Sequence, residues 1–440
     1  MTTLDSGGTI NYNAEYPKYG GKSEGRAQCD WERRIDMAKM RKDRHAKFVQ
    51  EMKESGHAVA LVVEPRNVRY TTGYYSASYH AGSGWAIVPV EGGPLLWGHG
   101  DIGVRREIDW ISPEDIRGGD FPMEVGPIPE KLADEREQIA KKIKAVLEDR
   151  KLGKEVLVLD NYMPAMQAAL EKVGIKTKVD PQLGIKAMEV KTAEEIECFR
   201  VLAAICDVIH WETATYAGPG TTELAVTGYF RNRALHYGCD MHAGGFCMSG
   251  EHTWPNYRNS GDRLIRPGDI VIWDLWGIQW NGYGSCYYRT YSAGYKASQA
   301  ALDALKRVHE FHYNGIAEIK PGKTTADMAK HYPEPSDIHM HGLGLDCYLI
   351  PPRSGGATMY PCELKEGQVF ALGTPGGRIG DGQAIDLEDM ILVTKTGAEV
   401  LSRAPSDIIL TIPMRDDQDY VFRSPEDHLK EARARLKLPE

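Results

Sequence analysis

Four residues able to carry acid–base or metal chemistry stand inside, or beside, apolar β-type runs of the chain. Asp274 ends I-V-I-W-D, Cys286 lies in the aromatic run after Asn281-Gly282, His341 stands in H-M-H-G-L-G-L-D, and Glu388 in A-I-D-L-E-D-M-I-L-V. A carboxylate or imidazole buried in such a run without a partner is costly. Each must therefore be paired with another group or bound to a metal.

The elements around them follow from local signals. Asn281-Gly282 between β-rich runs is a strong hairpin signal, and it holds Asp274 and Cys286 on neighbouring strands. Upstream, residues 1–30 are rich in Gly, Ser, Asn and Tyr and read as an arm that lies on another surface. A helical pattern from Trp31 to Glu54 precedes short strands at Val59–Val63, Val68–Tyr70, Trp85–Val90 and Pro94–Trp97. A helix near Ile128–Asp149, a strand at Val156–Leu159 and a helix at Pro164–Val173 complete an α/β alternation. The boundary falls between Asp180 and Lys191, dividing the chain into an arm (1–30), an N-terminal domain (31–185) and a C-terminal domain (186–440). Thr192 to Glu195 has capping-box spacing and opens a long helix to about Tyr216. A second helix runs from Glu223 to Tyr237. Beyond Phe246 the chain is strand-rich, broken by a helix at Ser298–Ile319, and the last forty residues read as a charged helical tail.

At 440 residues the chain exceeds one ordinary core, which sets a two-domain expectation. A formal net charge of −9 and the lack of a Lys/Arg block exclude a nucleic-acid-binding role. No apolar run reaches a membrane span and the first residues lack a signal peptide's core, so a cytoplasmic, non-membrane protein is the expectation. The eight cysteines are scattered with no C-x-x-C pair, which argues against a zinc ribbon or a disulfide scaffold.

These runs together resemble the creatinase/aminopeptidase P/methionine aminopeptidase superfamily of the pita-bread fold. The carriers are K-T-A-E-E-I (Lys191–Ile196), R-P-G-D-I-V-I-W-D (Arg266–Asp274), N-G-Y-G-S-C-Y-Y-R-T (Asn281–Thr290), H-G-L-G-L (His341–Leu345), L-K-E-G-Q-V-F (Leu364–Phe370) and L-E-D-M-I-L-V-T (Leu387–Thr394). Asn67–Tyr70, Met340–Leu345 and Asp386–Asp389 are similar to segments of the dimethylsulfoniopropionate (DMSP) lyase branch. The resemblance implies an α/β (α+β) chain: a creatinase-like N-terminal α/β domain followed by a C-terminal pita-bread domain, assembled as a homodimer.

The departures from the family pattern are as informative. Metallopeptidases of this type hold two metals with two Asp, one His and two Glu. Carried onto this chain, those positions fall on Asp274, Cys286, His341, Gly373 and Glu388, and the lyase branch has an acid where this chain has Trp276. The two further peptidase histidines fall on Asn256 and Tyr348. A full dinuclear site cannot be assembled, and peptide hydrolysis is disfavoured.

Two mechanisms remain open on these residues. In one, Cys286, His341 and Glu388 hold a single divalent ion (Zn, Fe, Mn or Ni) with Asp274 as fourth ligand or base. In the other no metal is bound, and His341, Glu388 and a tyrosine among Tyr283, Tyr287, Tyr288 and Tyr348 do the acid–base work. Asp274, His341, Glu388, Tyr287 and Tyr348 are thus the catalytic candidates. Aromatics cluster around the hairpin, and faces of this kind bind onium heads. Trp254, Tyr257, Trp276 and Tyr283, with His252, are the substrate-binding candidates, and Arg289 is a candidate for a substrate carboxylate beside Arg258 and Arg353. The expected partner is a small zwitterion. The leading expectation is a lyase cleaving an onium carboxylate, DMSP to dimethyl sulfide and acrylate. The alternatives are a creatinase-like C–N hydrolase, an Xaa-Pro peptidase and a metal-free binding protein.

Overall fold

The computed structural model describes residues 35–74, 84–98, 108, 110–240, 244–254, 259–334, 338–345, 347–349, 360–380 and 382–414. The arm and the expected C-terminal helical tail lie outside them.

The N-terminal half opens with helix α1 (Met37–Glu54), whose first turn is capped by the Asp36 side chain accepting from the Lys39 amide at 2.9 Å. Strand β1 (Val59–Val62) follows, then helix α2 (Pro65–Thr72). Val68–Tyr70, expected as a strand, is therefore helical. Pro65 sits where a helix tolerates a missing N–H, the Glu64 carboxylate accepts from the Arg66 and Asn67 amides, and Gly73 ends the helix at φ +84°. These end signals override the β propensity of a short interior run.

Strands β2 (Trp85–Pro89), β3 (Leu95–Gly98), β4 (Ile116–Gly118), β5 (Leu157–Leu159) and β6 (Thr177–Val179) join β1 in a six-stranded mixed sheet of order β4-β3-β2-β1-β5-β6. Helices α3 (Pro129–Asp149) and α4 (Pro164–Lys172) alternate with its strands. Helix α5 (Leu183–Glu189) leads into α6 (Ala193–Tyr216). The capping box at the start of α6 is formed: Glu195 Oε2 accepts from the Thr192 amide at 2.8 Å, and the Thr192 hydroxyl accepts from the Glu195 amide at 3.3 Å.

After α7 (Glu223–His236) the chain builds two sheets. One contains β7 (Phe246–Ser249), β8 (Ile270–Asp274), β11 (Tyr288–Ala293) and β17 (Leu410–Ile412), in the order β17-β11-β8-β7. The Asn281-Gly282 turn lies at the tip of the excursion between β8 and β11, flanked by the short strands β9 (Gln279–Trp280) and β10 (Tyr283–Gly284). The second sheet contains β12 (His339–Leu343), β13 (Cys347–Leu349), β14 (Val369–Arg378), β15 (Ala384–Val393) and β16 (Ala398–Val400), in the order β13-β12-β14-β15-β16. Helices α8 (Gln299–Ala317) and α9 (Thr325–Ala329) separate the two in sequence.

A seam between β11 and β15 joins the sheets. The Thr290 hydroxyl donates to the Asp386 carbonyl at 2.7 Å and accepts from the Asp386 amide at 3.1 Å. Arg289, fully buried, donates to the Tyr288 and Glu388 carbonyls, to the Ala404 carbonyl and to the Asp389 carboxylate. Burial alone would raise Asp389, but the charges of Arg289 and His312 and hydrogen bonds from His312 and Ser402 hold it well below the usual carboxylate range. Arg289 is thus a clamp that fixes the backbone of two strands, and its guanidinium is spent inside the fold.

Candidate functional site

The two sheets meet over a buried group of polar side chains, and strand alternation decides which residues reach it. Successive side chains of a strand point to opposite faces. On and just before β11, Cys286 and Tyr288 therefore face one way and Tyr287 and Arg289 the other. In the β8–β11 register the residue directly opposite Asp274 is Tyr288. In the second sheet His341, Gly373 and Glu388 come from β12, β14 and β15, and Gly373 is in register with both His339 and Glu388.

Cys286, His341 and Glu388 come together. One ligand atom from each lies within 4.8 Å of the others, and all three residues are buried. The Cys286 thiol donates to Glu388 Oε2 at 3.2 Å and stands 3.9 Å from each oxygen of Asp274. His341 Nδ1 is 3.4 Å from the Gly342 carbonyl, a contact that leaves Nε2 as the lone-pair nitrogen in the Nδ1–H tautomer. Asp274 touches Cys286 yet falls outside the three-residue ligand group, which favours the base over the fourth ligand among its two expected roles.

The electrostatics are those of a crowded, buried cluster of acidic groups. Burial pushes Asp274 up to about 8, with the nearby Asp386 charge adding to the rise and hydrogen bonds from Cys286 and the Trp276 amide opposing it. Glu388 is raised well above the usual carboxylate range, first by burial and then by the Asp274 charge. Without a cation, burial and mutual repulsion drive both carboxyls toward their protonated forms.

The other candidate residues are placed elsewhere. Tyr287 faces α6, donating to Asp207 at 2.6 Å with its ring 4.4 Å from His210. Tyr283 lies under the N-terminal half, donating to Glu195 at 3.1 Å and accepting from Arg44 at 3.3 Å. His252 Nδ1 pairs with Glu223 at 3.0 Å, the Arg378 guanidinium lies 5.4 Å from the Trp254 ring, and Trp276 is partly exposed on the turn after β8. Arg289 is the clamp described above, so it is not available to a substrate carboxylate. Trp273 stacks on Tyr291 at 3.7 Å in the core. Trp273, Tyr287 and Tyr291 thus pack on the face of the sheet turned away from the acids, as alternation along β11 requires, and among the described residues no onium cage surrounds the acids. Tyr257 and the side chain of Tyr348 lie outside the described residues.

Three residues at the site escaped the sequence reading or were passed over in it. Tyr288 enters the sequence reading only as one of four tyrosines, and His339 and Asp386 only as parts of motifs. Each lies two residues from an expected ligand (Cys286, His341 and Glu388), so strand periodicity carried the missing signal. The His339 and His341 rings are 5.5 Å apart, and Asp386 is buried.

Comparison with known proteins agrees with this architecture. The model of metallopeptidase family M24 matches residues 197–395, and that of the creatinase/prolidase N-terminal domain matches residues 44–176. The chain belongs to the pita-bread superfamily of metallopeptidase family M24. Among M24 relatives, dimethylsulfoniopropionate lyase DddP of Roseovarius nubinhibens is 23% identical over 84% of this chain and 87% of its own length. The probable dipeptidase PepE of Mycobacterium tuberculosis is 27% identical over 50% of this chain and 60% of its own. The Xaa-Pro dipeptidase of Bacillus anthracis superposes with a TM-score of 0.67 at 18% identity, covering 84% of this chain and 99% of its own. That likeness establishes the two-domain M24 fold.

The M24 fold implies divalent metal, and the residues present fit one ion. Among the described residues Glu388 Oε1 is buried without a hydrogen-bond partner, and thiolate, imidazole and carboxylate form a reasonable open site. A second ion would need the carboxylates that Cys286 and Gly373 replace.

Proposed function

We propose that this M24 enzyme is a small-molecule lyase acting on an onium carboxylate, with DMSP as the leading substrate. The observation that carries the reading is Gly373. A peptidase ligand position has no side chain, and a Cβ there would lie 2.5 Å from the Tyr288 hydroxyl and 3.0 Å from Glu388 Oε1. The carboxylate set of a two-metal hydrolase is closed off, while a buried acid poised for proton transfer remains. The long alignment with DMSP lyases, against half the chain for dipeptidases, supports the same choice.

In this reading Asp274 is the base. Burial makes its carboxylate more basic than an exposed one, and an entering sulfonium stabilises its ionised form. Asp274 removes a proton from the carbon next to the substrate carboxylate, the new C–C double bond forms, and the C–S electrons leave with dimethyl sulfide. Acrylate remains, and the proton on Asp274 returns to solvent. A divalent ion held by Cys286, His341 and Glu388 would supply Lewis-acid stabilisation of negative charge on the substrate carboxylate. Burial of Asp274, Cys286, His341 and Glu388 keeps their charges poorly screened.

The reading includes a homodimer, supported by the exposed apolar Trp211 and Leu235 of α6 and α7. Among the described residues no helix is long and apolar enough to cross a membrane.

The test is a substrate panel with purified, metal-supplemented protein. DMSP is expected to give dimethyl sulfide and acrylate in equal amounts, and Asp274→Asn is expected to lower the rate by about 100-fold or more. Urea from creatine, or cleavage of an Xaa-Pro dipeptide, with DMSP untouched, would replace this reading with a hydrolase.

A further inference from the structure

The space in front of Gly373 is filled by the side chain of Tyr288. A Cβ at 373 would sit 2.5 Å from Tyr288 Oη and 3.0 Å from Glu388 Oε1, so both oxygens border the same point. Tyr288 is buried, projects from the same face as Cys286 and lies directly opposite Asp274 in register. Its position is fixed from behind, because Arg289 donates to the Tyr288 carbonyl at 3.0 Å and also holds the Glu388 carbonyl. The Tyr288 oxygen therefore reaches the edge of the Cys286–His341–Glu388 group from the side where β14 offers only backbone.

We propose that the Tyr288 oxygen is the fourth donor of a one-metal centre formed with Cys286, His341 and Glu388, substituting from β11 for the side chain that Gly373 lacks. Three observations converge on this. The three other ligand atoms are already gathered within 4.8 Å. Glu388 Oε1, which borders the Tyr288 hydroxyl, is a buried acceptor with no hydrogen-bond partner among the described residues. Glycine at 373 is what makes room for the phenol, so the two positions act as a pair. The set of one thiolate, one imidazole, one carboxylate and one phenolic oxygen would suit Zn²⁺, which can expand its shell to admit a substrate oxygen, and binding would release the phenolic proton to solvent. Asp274, outside this set, is left for proton transfer. The inference concerns metal binding alone and does not depend on which substrate is cleaved.

Zinc binding tests it without any turnover assay. Wild-type protein is expected to take one equivalent of Zn²⁺ and to develop the long-wavelength ultraviolet difference band of ionised tyrosine, which zinc thiolates lack. Tyr288→Phe, which keeps the ring, is expected to bind zinc roughly 100-fold more weakly in competition with a chromogenic chelator, and to show no such band. Tyr288→His, which restores a donor, is expected to recover most of the affinity; a purely structural role would give no such recovery. Unchanged zinc affinity in Tyr288→Phe, or zinc uptake by the wild type without the tyrosinate band, would overturn the proposal. The second readout uses only unmodified protein, so it decides the matter even if the variants fail to fold. A protein that binds zinc in this way yet leaves DMSP intact would refute the lyase reading and leave the Tyr288 assignment standing.

Discussion

The Cys286 thiol reaches Glu388 Oε2 at 3.2 Å across the seam between two sheets, linking residues 102 positions apart. The thiol is also 3.9 Å from both oxygens of Asp274, so it stands between two buried acids. Cys286→Ala is expected to weaken zinc binding about 100-fold while the protein stays folded, because a small side chain is removed and no buried cation is stranded. Equilibrium dialysis with elemental analysis reads the result, and retention of wild-type affinity would remove Cys286 from the site.

Arg289 and Asp389 form a buried ion pair directly behind the site, and Arg289 also carries three backbone carbonyls. Removing the cation takes away the largest compensating charge and leaves buried Asp389 with only His312, Tyr313 and Ser402 as side-chain partners among the described residues. Arg289→Met is expected to cost about 3–5 kcal/mol in urea unfolding. A loss below about 1 kcal/mol would mean that the clamp does not hold the seam together.

The hairpin tip is locked by the N-terminal half. Asn281 and Gly282 both have positive φ, +52° and +83°, and a Cβ on Gly282 would lie 2.2 Å from Arg69 Nη1. Arg69 in turn donates to the Asn281 side chain at 3.3 Å. Gly282→Ala is expected to destabilise by about 1–3 kcal/mol, combining left-handed strain with displacement of Arg69. In the double variant with Arg69→Ala the losses should sum to less than the two single costs, because the clash is shared. Strictly additive losses in thermal or urea unfolding would show that the two residues do not press on each other.

Lys191 gives a pH signature at the junction between α5 and α6. Burial lowers its ammonium from the ordinary 10.5 to about 7, with the Glu195 charge opposing the shift and Lys47 adding to it. Between those values the unfolded chain holds a proton that the folded chain has released, so stability rises as pH climbs from about 7 towards 10.5. Lys191→Met is expected to lose that dependence. Comparing the two proteins in urea at neutral and alkaline pH should show wild type gaining roughly 2–3 kcal/mol relative to the variant. Parallel stability curves for the two would refute the buried, neutral lysine.

Much of the fold was legible locally. The Thr192–Glu195 capping box, the Asn281-Gly282 turn and the apolar run ending at Asp274 are short-range signals, and each forms as its sequence dictates. Val68–Tyr70 was misread because helix-end residues outside the run decide its conformation. At the site, the kinds of residue were readable but their directions were only half readable. Alternation along β11 separates Cys286 and Tyr288 from Tyr287 and Arg289, so the aromatic cluster that looked like a binding box is mostly core.

The sequence by itself determined the strands on either side of the turn between Asp274 and Cys286 and the turn itself, since these rest on local propensity, while its resemblance to the family implied a thiol, an imidazole and a carboxylate at ligand positions. Only the tertiary structure decided that Tyr288 stands opposite Asp274, that Arg289 turns inward to Asp389, and that the space before Gly373 belongs to a phenol from another sheet. Those facts depend on strand register and on the packing of two sheets whose contacting residues are about a hundred positions apart. No local pattern encodes a distance of that kind.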